Sequence, residues 1–486
     1  MANIIGIDLG TSTTLLARFN DSGSVESIVN VDGDTVTPSV IQIEPDGQVI
    51  YGKEAKKCLG LGKDNVFSEF KREMGSSTTW EANGQKYTPE DLSAFLLKSI
   101  STEYVAQHGN PDTIVISWPA NFTDRQKVAT QEAARRAGLK VVDFINEPTA
   151  AALYYTHSIK KNGTFLVYDM GGGTFDISLV EVDGLNKLKV IFSEGVDRLG
   201  GADMDKAVLE IISNKFKEQT GAPFDREDCN FTQLDIEEPK HSLSTRDITY
   251  IRLVSNLHGP QKISLTRAEF EAAISPIIQK AESACLEMLK TNKIDIKSIT
   301  EVFMVGGPSR IPALQASVEK IFGRKPMIRE PDLAVARGAA IYAAIKTDKS
   351  LLTNLQKNVI GEAKIVEITP HYFGIALHES YSEVEMFNRV LIDKGLPVPH
   401  STERKFIITE EESLKGVRLI ITQGRKLEYD LKKVTILHDK YIKLGPGARA
   451  GQQVEVTFSY DINGVMKCTL LETSTLTRTV VNLQAD

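Results

Sequence analysis

Cysteine is scarce in this chain, and its four residues are widely spaced. Cys58, Cys229, Cys285 and Cys468 include no CxxC pair. A disulfide framework or a structural zinc site is therefore not expected, and the thiols read as buried or surface side chains. Long hydrophobic runs are missing too, since none reaches the length of about 18 residues that marks a membrane-spanning helix. The first residues show no basic stretch followed by an apolar one, so no secretory leader is read there. Basic excess is absent, with 57 Lys and Arg against 64 Asp and Glu and a formal net charge of -7. A polyanion wants a basic face, so nucleic acid is not an expected partner. No low-complexity tract occurs. These absences predict a soluble protein of a reducing compartment, the cytoplasm, with neither nucleic-acid nor membrane partners.

What is present is ordinary globular material. The chain has 486 residues, 41% of them hydrophobic and 25% charged with both signs mixed. Length alone suggests about three domains of roughly 150 residues. From Ile4 to about Asp348, strand-like and helix-like segments alternate. TIVISWP (residues 113–119) reads as a buried strand. Residues 124–139 read as a helix, with Thr123 as its N-cap and Gly138 as its stop. EPTAAALYY and PDLAVARGAAIYAAI read as helices of small residues. Alternation of this kind predicts an α/β fold. Beyond Glu367 the texture changes to short alternating runs such as RKFIITE, VRLIITQG and QQVEVTFSYDINGVMKCTLLE, between turn signals such as GPGARAG and DING. That predicts about 120 residues of antiparallel β, as a sandwich or barrel.

One motif occurs twice. IIGIDLGTSTT places Asp8 after an apolar run and before Gly10, Thr11, Ser12 and Thr13. YDMGGGTFD places Asp169 before Gly171, Gly172, Gly173 and Thr174. Both read as strand, acid, glycine turn with hydroxyls, strand. Backbone N–H groups in such a turn can converge on phosphate oxygens, and a side chain there would block the approach. An acid beside the turn would repel phosphate unless a divalent cation stands between them. Mg²⁺ keeps several waters and takes only one or two carboxylates. Asp8 and Asp169 are therefore expected to hold hydrated Mg²⁺, and VGGPSR, with Gly306 and Gly307, supplies a third glycine turn. Lys71 in FSEFKREMG reads either as a solvated lysine or as a cation beside a transferred phosphoryl group.

These motifs together resemble a known family. GIDLGTST, DMGGGTFD and VGGPSRIP look like the ATPase fold shared by actin, sugar kinases and the seventy-kilodalton heat-shock chaperones. FKREMG, INEPTAAAL, RLGGADMD and PDLAVARGAA narrow the resemblance to the chaperones, DnaK-like in bacteria. The resemblance implies an actin-like, two-lobed ATPase domain over residues 1–348, a linker at 349–366, and a peptide-binding β-sandwich over 367–486. It implies that Asp8, Thr11, Ser12 and Thr13, with Gly10, form the first phosphate loop, and that Asp169, Gly171, Gly172, Gly173 and Thr174 form the second. It implies a catalytic role for Lys71 and a water-positioning role for Glu147. Glu237, Lys240 and Ser244 would clamp adenosine, with Gly306, Gly307, Arg310 and Asp332 opposite, and Gly200 and Gly201 would complete the nucleotide site. ATP or ADP and Mg²⁺ are the implied ligands, with K⁺ as a further cation the resemblance admits. Ile375, Leu377, Phe406, Val417, Leu419 and Val454 would line a groove for extended polypeptide clients; such alternating residues also suit a plain core. A J-domain co-chaperone and a nucleotide exchange factor are the implied partners.

The chain departs from the family pattern in five places. No helical lid follows the β region, so peptide is expected to escape fast. The linker reads EAKIVEITP, with Ala363 and Lys364 in the run and Glu367 for the usual Asp. Asp143-Phe144 stands where a basic residue receives the J-domain, and the reversed charge is expected to repel the J-domain acid. Lys127 stands for the switch arginine near Pro119, and the two differ in fork geometry. His378 and Thr409 fall where the groove arch has Met and Ala. With catalytic residues intact and coupling residues altered, the expected activity is ATP binding and hydrolysis with weak client binding. Two other readings stay open: a non-hydrolysing ATP-binding regulator of another chaperone or assembly, and a small-molecule kinase of the same superfamily.

Overall fold

The structure is a computed structural model. It describes residues 2–184, 187–378, 386–408, 416–445, 449–461 and 464–481. The chain divides into two compact units. One comprises Met1–Ala120, Thr130–Leu188 and Ser193–Lys364; the other comprises Asn121–Ala129, Lys189–Phe192 and Ile365–Asp486.

In the first unit, strand Ile4–Leu9 is the organising element. It is apolar almost throughout and buried, and it pairs parallel with Thr113–Trp118, which pairs parallel with Val141–Asn146. All six residues of Thr113–Trp118 are buried, as its unbroken apolar run predicts for a parallel strand covered on both faces. On its other side Ile4–Leu9 turns back into the antiparallel Thr13–Phe19. The same pattern repeats further along the chain. Gly163–Met170 pairs parallel with Glu301–Val305 and turns back into the antiparallel Thr174–Val182. Each acid thus ends a buried strand at the mouth of a glycine turn.

Two small-residue helices, Glu147–Ile159 and Ala334–Lys346, hold these hairpins in place. A methyl on Gly338 would lie 1.8 Å from the Ala150 carbonyl oxygen, and one on Gly6 would lie 2.1 Å from the Ala340 amide. The alanine-rich compositions permit that closeness, so helix backbone packs on helix and strand backbone. The helix beginning at Asp124 ends at Arg136, before Gly138, whose φ of 79° closes it.

The second unit contains two antiparallel sheets of four strands. One runs Met386–Ile392, Tyr372–His378, Val417–Gly424, Thr435–Ile442; the other runs His400–Ile407, Gln453–Tyr460, Met466–Glu472, Thr477–Val481. Alternate residues of both sheets enter one apolar cluster that includes Phe373, Ile421, Phe458 and Leu470, as period-two patterning requires. Residues 121–129 belong with this unit. Lys127 is buried there, donating to the Tyr460 hydroxyl at 2.9 Å and the Gly464 carbonyl at 3.2 Å.

Candidate nucleotide site

The two glycine turns of the first unit face each other. A methyl on Gly172 would lie 2.1 Å from Ser12 Oγ, and one on Gly173 would lie 2.8 Å from Thr11 Cγ2. Only bare backbone fits at that approach. One cavity is lined by Asp8, Gly10, Thr11, Ser12, Thr13, Lys71, Glu147, Asp169, Gly171, Gly172, Gly173, Thr174, Gly306, Gly307 and Asp332. Fifteen of the residues singled out from the sequence therefore meet in one place.

The second turn is fastened from behind. Its three successive carbonyls, of Gly171, Gly172 and Gly173, accept from the amides of Gly201 at 3.0 Å, Ala202 at 2.8 Å and Leu199 at 3.2 Å. A trans peptide points its N–H opposite to its carbonyl. With the carbonyls held outward, the N–H groups of Gly172, Gly173 and Thr174 are turned to the other side, the arrangement of an anion-binding nest. Gly200 is needed because a methyl there would sit 2.7 Å from the Gly171 oxygen. The first turn is tied in the same manner. Ser39 is buried, its Oγ donates to the Gly10 carbonyl at 2.8 Å, and its amide donates to Ser12 O at 2.9 Å.

Three carboxyls lie around the turns, Asp169 and Asp176 buried and Asp8 half-buried. Asp8 accepts from Ser117 Oγ at 2.8 Å, and its pKa is raised to about 7, first by burial and then by the charge of Glu147. Burial, then Glu147, Asp176 and Asp8, hold Asp169 well above the usual carboxylate range. Burial and then Glu147 raise Asp176 to about 8, and its Oδ1 is buried without a hydrogen-bond partner. Carboxyls that resist ionisation until a cation arrives fit a divalent ion. Among the described residues, no group of three or more His, Cys, Asp or Glu is arranged to hold a metal directly. Water and phosphate would have to complete the shell of a cation here, which suits Mg²⁺.

Lys71 is not a solvated lysine. It sits in the 3₁₀ turn Phe70–Glu73, and its Nζ lies 2.5 Å from Glu147 Oε1, with side chains only 5% and 12% exposed. Pro148 follows Glu147 at the start of its helix, where the missing N–H costs nothing.

The remaining residues surround the cavity at greater remove. Glu237 pairs with Lys56 at 2.6 Å and borders an adjoining cavity with Thr11 and Ser12. Lys240 pairs with Asp205 at 2.5 Å and reaches the Gly201 carbonyl at 3.5 Å. Arg310 pairs with Asp332 at 2.5 Å. Ser244 caps the end of helix Leu234–Leu243 and does not line either cavity. Gly306, at φ 84°, would clash with the Met170 carbonyl if it carried a methyl, 2.1 Å away. Sequence reasoning missed Ser39, Lys56, Arg72, Asp176 and Asp205. Arg72 and Asp176 stand inside the motifs FKREMG and DMGGGTFD, which was the available signal.

The model of the family described as Hsp70 protein matches this chain over residues 4–82 and 76–486. The chain belongs to the Hsp70 family. It is similar to the Chaperone protein DnaK of Thermosipho melanesiensis, 33% identical over 477 residues, which cover 95% of this chain and 77% of that protein. The Chaperone protein DnaK of Thermotoga petrophila and that of Thermotoga maritima are each 32% identical over 474 residues, with the same coverage. No helix among the described residues is long and apolar enough to cross a membrane.

Two departures from the Hsp70 pattern take on a different meaning in three dimensions. Asp143 was expected to confront a J-domain acid. Its carboxylate is instead turned into the fold, 2% exposed, 2.6 Å from Lys346 Nζ, and it accepts from the Tyr342 hydroxyl at 3.0 Å and the Phe144 amide at 2.8 Å. Of the expected groove residues, Ile375, Val417, Leu419 and Val454 are buried in the shared core, and Leu377 and Phe406 are partly buried against it. His378 is exposed, whereas Thr409 lies outside the described residues.

Proposed function

We propose that this member of the Hsp70 family is an ATP-dependent chaperone of the DnaK type, which binds Mg-ATP between its two glycine turns and hydrolyses it. The observation that carries the reading is the pair of acid-glycine turns that face each other with their carbonyls fastened outward. Residues 1–348 would be the actin-like two-lobed ATPase, 349–366 the linker and 367–486 the β-sandwich. The hydroxyls of Thr11, Ser12, Thr13 and Thr174 would donate to phosphate oxygens, beside the amides of Gly10, Gly172, Gly173 and Thr174. Mg²⁺, held through water by Asp8 and Asp169, would supply charge neutralisation on the phosphates. Lys71 would steady the developing charge, and Glu147, already bonded to Lys71, would orient the attacking water. Hydrolysis of this kind rests on positioning and electrostatics. Gly306, Gly307, Arg310 and Asp332 would face Glu237 and Lys240 across the adenosine.

Polypeptide binding by the β domain would be weak. Four of its six expected contact residues are already used as core, leaving Leu377 and Phe406 as the accessible part of the groove. Unfolded polypeptides would be the clients, with a J-domain protein and a nucleotide exchange factor as partners.

The test is single-turnover ATP hydrolysis by the full chain, with and without an extended apolar peptide, beside Lys71→Ala. Turnover that falls by about 10² to 10³ in Lys71→Ala, with binding retained, supports the enzyme. Tight ATP binding with no ADP formed would point instead to a regulator that uses ATP as a structural ligand.

A further inference from the structure

We infer that Arg72 is a positioning residue for the second glycine turn, the group that aims its amides at a phosphate. The inference rests on the nucleotide reading above.

Arg72 follows Lys71 in the turn Phe70–Glu73. Its side chain is only 8% exposed. Nη2 donates to the Gly173 carbonyl at 3.0 Å and reaches the Gly172 carbonyl at 3.5 Å. The same nitrogen lies 3.6 Å from Asp203, whose carboxylate caps Gly200 N at 3.1 Å. Nη1 is held by Glu69 at 2.7 Å. Glu69 itself has a left-handed backbone, φ 56°, a conformation that a non-glycine residue adopts at a cost. One guanidinium therefore joins three segments: its own turn, the glycine turn, and the start of helix Gly201–Thr220.

Geometry gives that joint its consequence. Gly172 and Gly173 have no side chains to fix their peptide planes, and glycine rotates freely. Besides the packing of the turns on each other, the bonds their carbonyls accept hold the planes. The amides of residues 199–202 supply neutral donors, whereas Arg72 supplies the charged one, and charge-assisted bonds are roughly twice as strong. Holding the carbonyls toward Arg72 holds the N–H groups of Gly173 and Thr174 toward the cavity. Nε is buried without a hydrogen-bond partner and would lie 2.6 Å from a methyl on Gly173. The guanidinium is thus pressed against the back of the turn, where its charge adds to the positive face the turn presents. Lysine cannot reproduce this, because an ammonium offers no planar fork to reach Glu69 and the turn at once.

The test uses the full chain and the variants Arg72→Lys and Arg72→Ala. In ligand-free protein, hydrogen exchange of the amides of Leu199, Gly201 and Ala202 reads the turn directly, without nucleotide. Exchange there should accelerate about tenfold or more in both variants, with helix Arg267–Thr291 unchanged. Mg-ATP affinity should weaken about tenfold in Arg72→Lys, while single-turnover hydrolysis at saturation falls less than about threefold. Unchanged exchange at these amides in Arg72→Lys overturns the inference. So does a lowered melting temperature with unaltered affinity, which marks a structural residue only. If the parent chain binds no ATP, the nucleotide reading fails and the exchange result still decides the role of Arg72.

Discussion

Gly172 Cα and Ser12 Oγ are packed so closely that a single methyl group between them would lie 2.1 Å from the hydroxyl. The two turns are in van der Waals contact across the cavity, with no slack. Gly172→Ala should therefore push the turns apart while leaving their sheets intact. The expected result is a loss of about 1–3 kcal/mol in Mg-ATP binding, read by calorimetry, with a smaller change in thermal stability. Wild-type affinity in Gly172→Ala would contradict the close approach.

The carboxyls around the turns predict a pH dependence whose sign follows from the direction of the shifts. Asp8 titrates near 7 and Asp176 near 8, against an ordinary value of 3.8, with burial the leading cause in each. The folded chain therefore holds protons that the unfolded chain releases. The stability these groups contribute is full below about pH 4 and is lost as pH rises through 7 and 8. Melting of ligand-free protein should shift downward between about pH 6 and pH 8.5, and Asp176→Asn should flatten the curve. Mg-ATP should stabilise more as pH rises and should release protons on binding at pH 7. A pH-independent melting temperature, equal in both proteins, would sink this account.

Gly338 tests the packing beneath the site. Its neighbour at 1.8 Å is the Ala150 backbone carbonyl, which cannot swing aside. Gly338→Ala should cost about 3 kcal/mol of unfolding free energy, the upper end for an overpacked core. Chemical denaturation checks it.

Asp143 and Lys346 form a partly buried pair at 2.6 Å. Lys346→Ala should cost about 1–2 kcal/mol, less than the loss of a fully buried partner, because water can reach the vacated site. Asp143→Lys should cost more, since it sets a second cation beside Lys346. Measured against a J-domain fragment, Asp143→Lys should also fail to gain binding commensurate with its charge, because the side chain at 143 points inward.

The glycine turns were legible because their chemistry is local. Acid, glycines and hydroxyls lie within a few residues of one another, and strand signals flank them. Asp8, Asp169, Lys71 and Glu147, which line one cavity, could be singled out from such short stretches together with the family resemblance. Ser39 and Arg72 were not, because each acts on backbone carbonyls 29 and 101 residues away, and a carbonyl leaves no mark in the sequence. In the β region the reason is different. A period-two run has the same appearance whether its apolar face meets a ligand or the opposite sheet, so Ile375 and Val454 could be read as groove. Asp143 shows a third limit: charge is visible in a sequence, but the direction in which a side chain points is not.

The carbonyls of Gly171, Gly172 and Gly173 are all turned to the segment that follows Arg198, and two of them also to Arg72. The turn consequently has one polarity only. Its backbone offers hydrogen to a guest and keeps its carbonyl acceptors behind, so a donor-only group meets no backbone oxygen on the cavity side. A guest at this turn must bring its own oxygens, and discrimination of this kind needs no charged side chain at the point of contact.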